Sequence, residues 1–225
     1  MCPSLSLSGY AAVADNQAAL RRRKLSQAVA NRLIGWRSSQ TQQLVVEQAK
    51  SLCGKYLRAK LRSCALLHKK LGLQRLKSVS VLSSSVPWAS AEVAMELREL
   101  GMEMERTHPE LFQSVIENVG LYSLPSESGV QNLLHALAAE LFREGRVSWG
   151  RIVALYAMAG ALAVDCVKLG HPEFVLGLVQ VVGTCVERDL GNWIIQQGGW
   201  VSLLKCLLRS CLSAKIVNVF SAKSH

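Results

Sequence analysis

The residue types that most often carry catalytic or metal chemistry occur in this chain, but their spacing assembles no site. Five His, seven Cys and three Asp are spread over 225 residues, and the Cys form no CxxC pair. Zinc sites and nucleophile–base pairs need such residues in recognisable motifs. The sequence therefore predicts no metal, no cofactor and no enzymatic activity. Several Cys fall within apolar helical patterns, which favours reduced, packed thiols in a reducing compartment over a disulfide or metal framework.

A continuous apolar run is the most informative feature of the chain. It covers 152–164, with the Tyr156 hydroxyl as its polar group, and directly follows Arg151. A helix that is apolar on every side must be buried or lie in lipid. Its length of about 20 Å is short of the ~30 Å core of a bilayer. We therefore expect a buried core helix, with membrane insertion as the second interpretation.

The net charge of +10 is unevenly distributed. Residues 21–80 hold fifteen Lys or Arg and one acid, whereas 91–150 hold ten Glu and four Arg. The basic half has few aromatic residues and no recognised nucleic-acid-binding motif. We therefore expect no nucleic-acid partner. The basic half fits a solvated face, an anionic membrane surface or an acidic partner.

The hydrophobic periodicity predicts an all-α fold that contains several amphipathic helices and a central hydrophobic helical hairpin. The hairpin consists of 152–167 and 173–189, joined at Gly170-His171-Pro172, because Gly favours a helix end and Pro a helix start. The other predicted elements are a basic amphipathic helix at 17–36, helices at 41–62, 90–108, 110–119 and 129–144, a linker at 63–89, a short segment at 193–197 and a last helix at 200–211.

Three parts are expected along the chain. Residues 1–39 form an N-terminal extension that contains the basic helix, which also fits a mitochondrial presequence. Residues 40–211 form one helical domain. Residues 212–225 form a short tail, in which 212–220 contain five large apolar residues, too few to span a bilayer. We therefore expect no membrane anchor in this tail.

Three ordered segments resemble the homology regions of the Bcl-2 family of apoptosis regulators. The first region is matched around Trp149-Gly150-Arg151, and the second by 193–200, which contains Trp193, Gly198, Gly199 and Trp200. The third region, the BH3 helix, is matched by 97–101 with Met104. The BH3 segment so assigned comprises Val93, Leu97, Leu100, Gly101, Met102 and Met104. Within the family, 48–52 with Tyr56, 162–167 and Leu204-Lys205-Cys206 are most similar to the Bok (Bcl-2-related ovarian killer) branch.

The resemblance implies a Bcl-2-like bundle, in which amphipathic helices surround the central hydrophobic hairpin and leave a groove that receives a BH3 helix. It places Gly150 and Arg151 at this groove, between helices 91–106 and 129–144, where Arg151 meets an acidic residue of the incoming helix. A solvated or locally paired Arg151 is the alternative. Trp193 and Trp200 are expected to be core residues rather than direct ligand contacts.

The BH3 segment departs from the family pattern at one position. The family usually carries Asp directly after the Gly, whereas this chain has Met102, followed by Glu103. The resemblance therefore predicts that this segment binds partners weakly. An ordinary core stripe explains Val93, Leu97 and the other apolar positions equally well.

The function implied by the resemblance is regulation of apoptosis. We expect a pro-apoptotic protein that acts through BH3–groove interactions and permeabilises the mitochondrial outer membrane; the alternative is a pro-survival protein that sequesters BH3 helices. The implied partners are BH3-containing and other Bcl-2 family proteins, the mitochondrial or ER membrane, and further copies of the chain in a homo-oligomer. The implied location is the cytoplasm, with association at the mitochondrial outer membrane and the ER.

Overall fold

The structure, a computed structural model, describes residues 42–67, 90–110, 112 and 126–204, which form an all-α bundle as predicted. The main helices are α1 (Gln42–Ser63), α2 (Ser90–Thr107), α3 (Glu127–Phe142), α4 (Trp149–Lys168) and α5 (Val175–Cys185). Shorter elements are the 3₁₀ turns Pro172–Phe174 and Trp200–Ser202, the π-helical turn Val186–Leu190 and α6 (Gly191–Gln196).

Helix α4 forms the centre of the bundle. The Ser148 hydroxyl caps it by accepting a hydrogen bond from the Arg151 backbone N–H at 3.3 Å. Sixteen of its 20 residues are buried, and α1, α2, α3 and α5 all pack against it. The prediction of 152–167 as the most buried helix of the chain is thus confirmed for the described residues.

The central helix is longer than its apolar run. Residues 149–151 and 165–168 extend it at both ends to 20 residues, or about 30 Å. Within the described part of the chain it is the one helix long and apolar enough to cross a membrane, and most of it is buried inside the bundle. A core helix of a soluble protein has the same properties.

The predicted hairpin turn is confirmed at Gly170. This residue has a φ of +91°, and the N–H of His171 donates to the Cys166 carbonyl at 2.8 Å, which closes the end of α4 as a helix C-cap. Pro172 then begins a 3₁₀ turn that leads into α5. The second arm, predicted as 173–189, is regular α-helix only over Val175–Cys185 and continues as the π-helical turn.

Helix α1 contributes an apolar stripe with the predicted spacing. Val45, Ala49, Leu52, Tyr56 and Leu57 are all buried, and α1 packs against α2, α4, α5 and α6. The stripe therefore covers a large part of the hairpin.

Some predictions fall outside the described residues. They are helix 17–36, nearly all of helix 110–119, most of the linker 63–89, and 205–211 of the last helix, which begins as a 3₁₀ turn. The part boundaries after residues 39 and 211 therefore stay predictions.

Candidate functional site

The segment that resembles a BH3 helix lies within α2, and its apolar stripe faces the bundle core. Val93, Leu97, Gly101 and Met104 are buried, and Leu100 is partly buried. Helices α1 and α4 cover this face. In this conformation the stripe is a core face, so a partner would gain access to it only if α2 left its position.

Tyr56 of α1 is the side chain on which α2 and α4 converge. A Cβ atom on Gly101 of α2 would overlap the Tyr56 hydroxyl, and one on Gly160 of α4 would lie 2.9 Å from Tyr56 Cε1. The ring also packs edge-on against Tyr156, with 6.1 Å between centroids. Glycine inside a helix is normally destabilising. Close approach of one aromatic ring explains both glycines here.

The contact around Tyr56 also includes a buried polar group. The Tyr56 hydroxyl is buried and has no hydrogen-bond partner among the described residues. Burial, assisted by the nearby Glu105 carboxylate, raises the pKa of Tyr56, so the hydroxyl stays protonated. Glu105 forms an ion pair with Lys60 of α1. An unpartnered buried hydroxyl costs about 1–3 kcal/mol of folding stability. This cost reduces the net stability of the packing between α1 and α2.

Met102 lies on the opposite, outward side of α2 and is 47% exposed. It borders a cavity of about 100 Å³ between α1 and α2. The acidic residue beside it, Glu103, accepts hydrogen bonds of 2.9 and 2.6 Å from Arg106 Nε and Nη2. The cavity is lined by Tyr56, Ala59, Lys60, Ser63, Arg98 and Met102.

Arg151 is paired locally in this structure. Its Nη1 atom donates to the Arg146 carbonyl at 2.8 Å, and Nη2 lies 3.5 Å from Glu144 Oε2. The Arg151 side chain is 12% exposed, whereas Glu144 is 48% exposed. A long contact to a half-exposed carboxylate contributes little to stability. The arrangement corresponds to the locally paired alternative.

The first and second homology regions meet in an aromatic cluster. The ring of Trp149 lies 5.2 Å from Trp193 and 5.8 Å from Trp200, and Trp200 lies 6.0 Å from Tyr156, measured between centroids. Trp200 is fully buried and Trp193 partly buried. Both were expected in the core, and both pack there.

A glycine turn returns the chain to this cluster. Gly198 and Gly199 have φ values of +95° and +80°, a region that L side chains rarely adopt. The N–H of Gly199 donates to the Ile194 carbonyl at 2.8 Å, which closes α6 before Trp200. The backbone conformation therefore requires this glycine pair.

Two side chains of this cluster donate hydrogen bonds to backbone carbonyls of α1. Trp200 Nε1 donates to the Val45 carbonyl, and the Tyr156 hydroxyl donates to the Ala49 carbonyl, each at 3.1 Å. These carbonyls lie one helical turn apart. Buried hydrogen bonds of this kind are costly to break without a replacement, so they hold α1 against α4 and against the turn that begins at Trp200.

The predicted groove between α2 and α3 stays a prediction. Both helices pack against α4, and α3 has an apolar face that includes Val130, Leu134 and Leu141. Gly150 is buried at the start of α4. Residues 113–125, between the two flanking helices, lie outside the described part of the chain.

Three cysteines within the described residues are buried thiols. Burial raises the pKa of Cys53, that of Cys166 to about 12 and that of Cys185 to about 11. A thiol with such a pKa is protonated at neutral pH and reacts slowly. For these three residues the structure agrees with the expected packed thiols; Cys64 is free and exposed.

Asp165 of α4 provides a pH-dependent test of the packing. Burial raises its pKa above the ordinary value of 3.8, although Lys168 opposes the shift, and its Oδ2 atom has no hydrogen-bond partner in the described structure. As the pH rises, the Asp165 carboxyl group therefore loses its proton at a lower pH in the unfolded chain than in the folded chain. Its ionisation thus destabilises the fold above about pH 4.

Asp165→Asn is thus expected to raise the Tm at pH 7 by at most about 4 °C, since Asp165 is only partly buried. The gain should disappear as the pH is lowered toward 3. Thermal unfolding of both proteins across this range checks the sign, and a gain that is equal at all pH values would contradict it.

Comparison with known proteins identifies the class. The family profile described as apoptosis regulator proteins of the Bcl-2 family matches residues 97–200. The human Bcl-2-related ovarian killer protein is 35% identical over 170 residues, which cover 76% of this chain and 75% of that protein. Zebrafish homolog B of the same protein is 33% identical over 168 residues, or 75% of each chain.

Solved structures agree with the sequence comparison. The crystal structure of chicken BOK matches with a TM-score of 0.62 and 32% identity, covering 75% of this chain and 99% of that one. The solution structure of human BOK matches with a TM-score of 0.59 and 36% identity, covering 74% and 100%. This chain belongs to the Bcl-2 family of apoptosis regulators. Its predicted resemblance to the Bok branch is confirmed by these relatives.

Proposed function

We propose that this protein is pro-apoptotic and acts by permeabilising the mitochondrial outer membrane. The observation that carries the proposal is the similarity to Bok proteins over three quarters of the chain. A buried 20-residue apolar helix of roughly membrane-spanning length supports the proposal. Such a helix is long and apolar enough to move from the bundle core into lipid. The proposed location is the cytoplasm, with association at the mitochondrial outer membrane and the ER.

Release of α2 would be the first step of this mechanism. The BH3 stripe packs against α1 and α4, and the Tyr56 contact that holds it includes a buried, unpartnered hydroxyl. Movement of α2 away from Tyr56 would expose Val93, Leu97 and Met104 together. The exposed stripe would then bind the groove of another Bcl-2 protein or of a second copy of this chain.

Insertion of the α4–α5 hairpin would follow. Helix α4 loses its cover when α1 and α2 separate from it, and its apolar surface then favours lipid over water. The basic residues of 21–80 favour anionic leaflets, each by about 1 kcal/mol when close to the surface. Dye release from vesicles tests this step directly.

The second candidate function is pro-survival sequestration of BH3 helices. Chicken anti-apoptotic protein NR13 is 32% identical to this chain over 107 residues, or 48% of its length. The Trp149-Gly150-Arg151 motif of the groove is intact, and the Glu144–Arg151 contact is weak enough for a partner's acid to replace it. A pro-survival protein would suppress release by other family members rather than cause it.

Gly150→Glu is expected to weaken binding of BH3 peptides to this chain at least tenfold. The added side chain would fill the proposed groove floor and place a carboxylate beside Arg151, where it would compete with the acid of the peptide. Fluorescence anisotropy with a labelled BH3 peptide measures the affinity. Gly150→Ala is the matched control, and circular dichroism verifies folding. Unchanged affinity in the folded Glu variant would contradict a groove at this position.

A further inference from the structure

Helix α2 carries two methionines on its outward face and one in the core. Met95 is 57% exposed and Met102 is 47% exposed, whereas Met104 is 1% exposed. A peroxide in solution therefore reaches the first two in the folded protein, while the bundle protects the third. Methionine oxidation is site-selective in this way because it requires access to the sulfur atom.

The cavity beside Met102 is lined by two cationic side chains, of which Lys60 is ion-paired with Glu105. Lys60 and Arg98 line the same cavity, which holds about 100 Å³ and therefore has room for one additional oxygen atom. Among the described residues, no carboxylate is part of the cavity lining. Glu103, the adjacent acid, is already bound by Arg106. The thioether of Met102 is itself only a weak acceptor.

Building on the BH3 function proposed above, we propose that Met102 is a redox-controlled modification site, at which oxidation to the sulfoxide supplies a strong hydrogen-bond acceptor at the position directly after Gly101, where the BH3 segment otherwise has only a thioether. One oxygen atom passes from hydrogen peroxide to the sulfur. The sulfur loses two electrons, the peroxide is reduced to water, and no bond of the protein breaks. A methionine sulfoxide reductase reverses the change.

The sulfoxide oxygen is polar and accepts hydrogen bonds from a guanidinium group. Located directly after Gly101, it would replace the acid that BH3 helices present to an arginine of the partner. Hydrogen bonds to charged groups are among the stronger ones in proteins, so one such bond is expected to raise affinity about tenfold. Oxidation would thus convert a weak BH3 segment into a stronger one.

The test uses the full chain on vesicles and measures its affinity for a pro-survival Bcl-2 relative before and after limited treatment with hydrogen peroxide. Peptide mapping by mass spectrometry is expected to find oxygen on Met95 and Met102 but not on Met104. The matched control is Met102→Leu, in which Met95 is still oxidised. We expect peroxide to raise the affinity of the unmodified sequence about tenfold, the reductase to reverse the gain, and the Leu variant to show no gain.

Three outcomes would overturn the proposal: no oxidation at Met102, no gain in affinity, or an equal gain in the Leu variant. The Met102→Asp chain distinguishes this failure from failure of the BH3 function. If the Asp chain binds tightly and the oxidised chain does not, the redox proposal alone fails. If no variant binds the relative, the BH3 function fails as well. The Tm of the oxidised chain should change by less than about 4 °C. A larger fall would mean that any gain in binding results from unfolding and would contradict the proposal.

Discussion

A peptide of residues 90–108 with Asp in place of Met102 is expected to bind pro-survival Bcl-2 relatives about 10–150-fold more tightly than the native peptide. A carboxylate at this position forms a charge-assisted hydrogen bond with an arginine of the partner, worth roughly 1.5–3 kcal/mol, whereas the thioether forms none of comparable strength. Met102 is outside the packed stripe of α2, so the substitution leaves the apolar contacts of the helix intact. Isothermal titration calorimetry or fluorescence anisotropy measures both affinities.

The matched control is the peptide with Asn at position 102, which retains a polar acceptor without the charge. An intermediate affinity for Asn would assign the gain to both the hydrogen bond and the charge. Nanomolar binding by the native peptide, with no improvement from Asp, would contradict the interpretation of Met102. Recognition would then depend on Glu103 or on the apolar stripe.

Gly101→Ala is expected to destabilise the folded protein by about 1–3 kcal/mol, the usual cost of overpacking a filled core. The added methyl group would overlap the Tyr56 hydroxyl, and Tyr56 cannot move freely because Gly160 and Tyr156 enclose its ring on other sides. Alanine is otherwise favoured over glycine inside a helix by roughly 0.5–1 kcal/mol. A net loss of stability would therefore measure the steric cost of the contact with Tyr56.

Tyr56→Phe is the control for this experiment. It removes the unpartnered hydroxyl, so alone it should leave stability unchanged or raise it by about 1 kcal/mol. In the Phe background, Gly101→Ala should cost less than in the native chain. Urea unfolding of the four proteins gives the coupling energy. Additive effects would mean that the hydroxyl does not set the distance between α1 and α2.

Periodicity and turn chemistry were sufficient to predict the helical architecture. The run at 152–164 favoured a buried helix over a membrane helix, and Gly170 with Pro172 indicated a reversal at the observed place. The hydrogen bonds from Trp200 and Tyr156 to carbonyls of α1 were not predictable. Their acceptors are backbone carbonyls of α1, so these bonds do not affect the side-chain periodicity from which α1 was predicted.

The candidate site was predicted less completely than the fold. The BH3 stripe was placed on one helix, but its contact with Tyr56 depends on how three helices meet in space. Gly101 and Gly160, each inside a helical pattern, were the available indication of a close approach. The local pairing of Arg151 with Glu144 was left open because loop 143–148 sets it, and periodicity contains no information about loop geometry.

Permeabilisation of membranes is the central claim, and it can be tested with a disulfide that locks the hairpin to α1. A Cβ atom on Gly183 of α5 would lie 2.9 Å from Lys50 Cγ, which places it within about 4.4 Å of Lys50 Cβ. This distance suits a disulfide. In the double variant Lys50→Cys, Gly183→Cys, the long side chain that would clash at Gly183 is also removed.

The measurement is dye release from vesicles of outer-membrane-like composition by the purified double variant of the 225-residue chain, before and after reduction, with Lys50→Cys alone as the control. Peptide mapping confirms that the new disulfide forms without involving Cys185. We predict release by the reduced form, little release by the oxidised form, and equal release by the control in both states. Equal release by the locked and unlocked forms would contradict hairpin insertion. A chain that releases no dye and instead suppresses release by another family member would show that the protein is pro-survival.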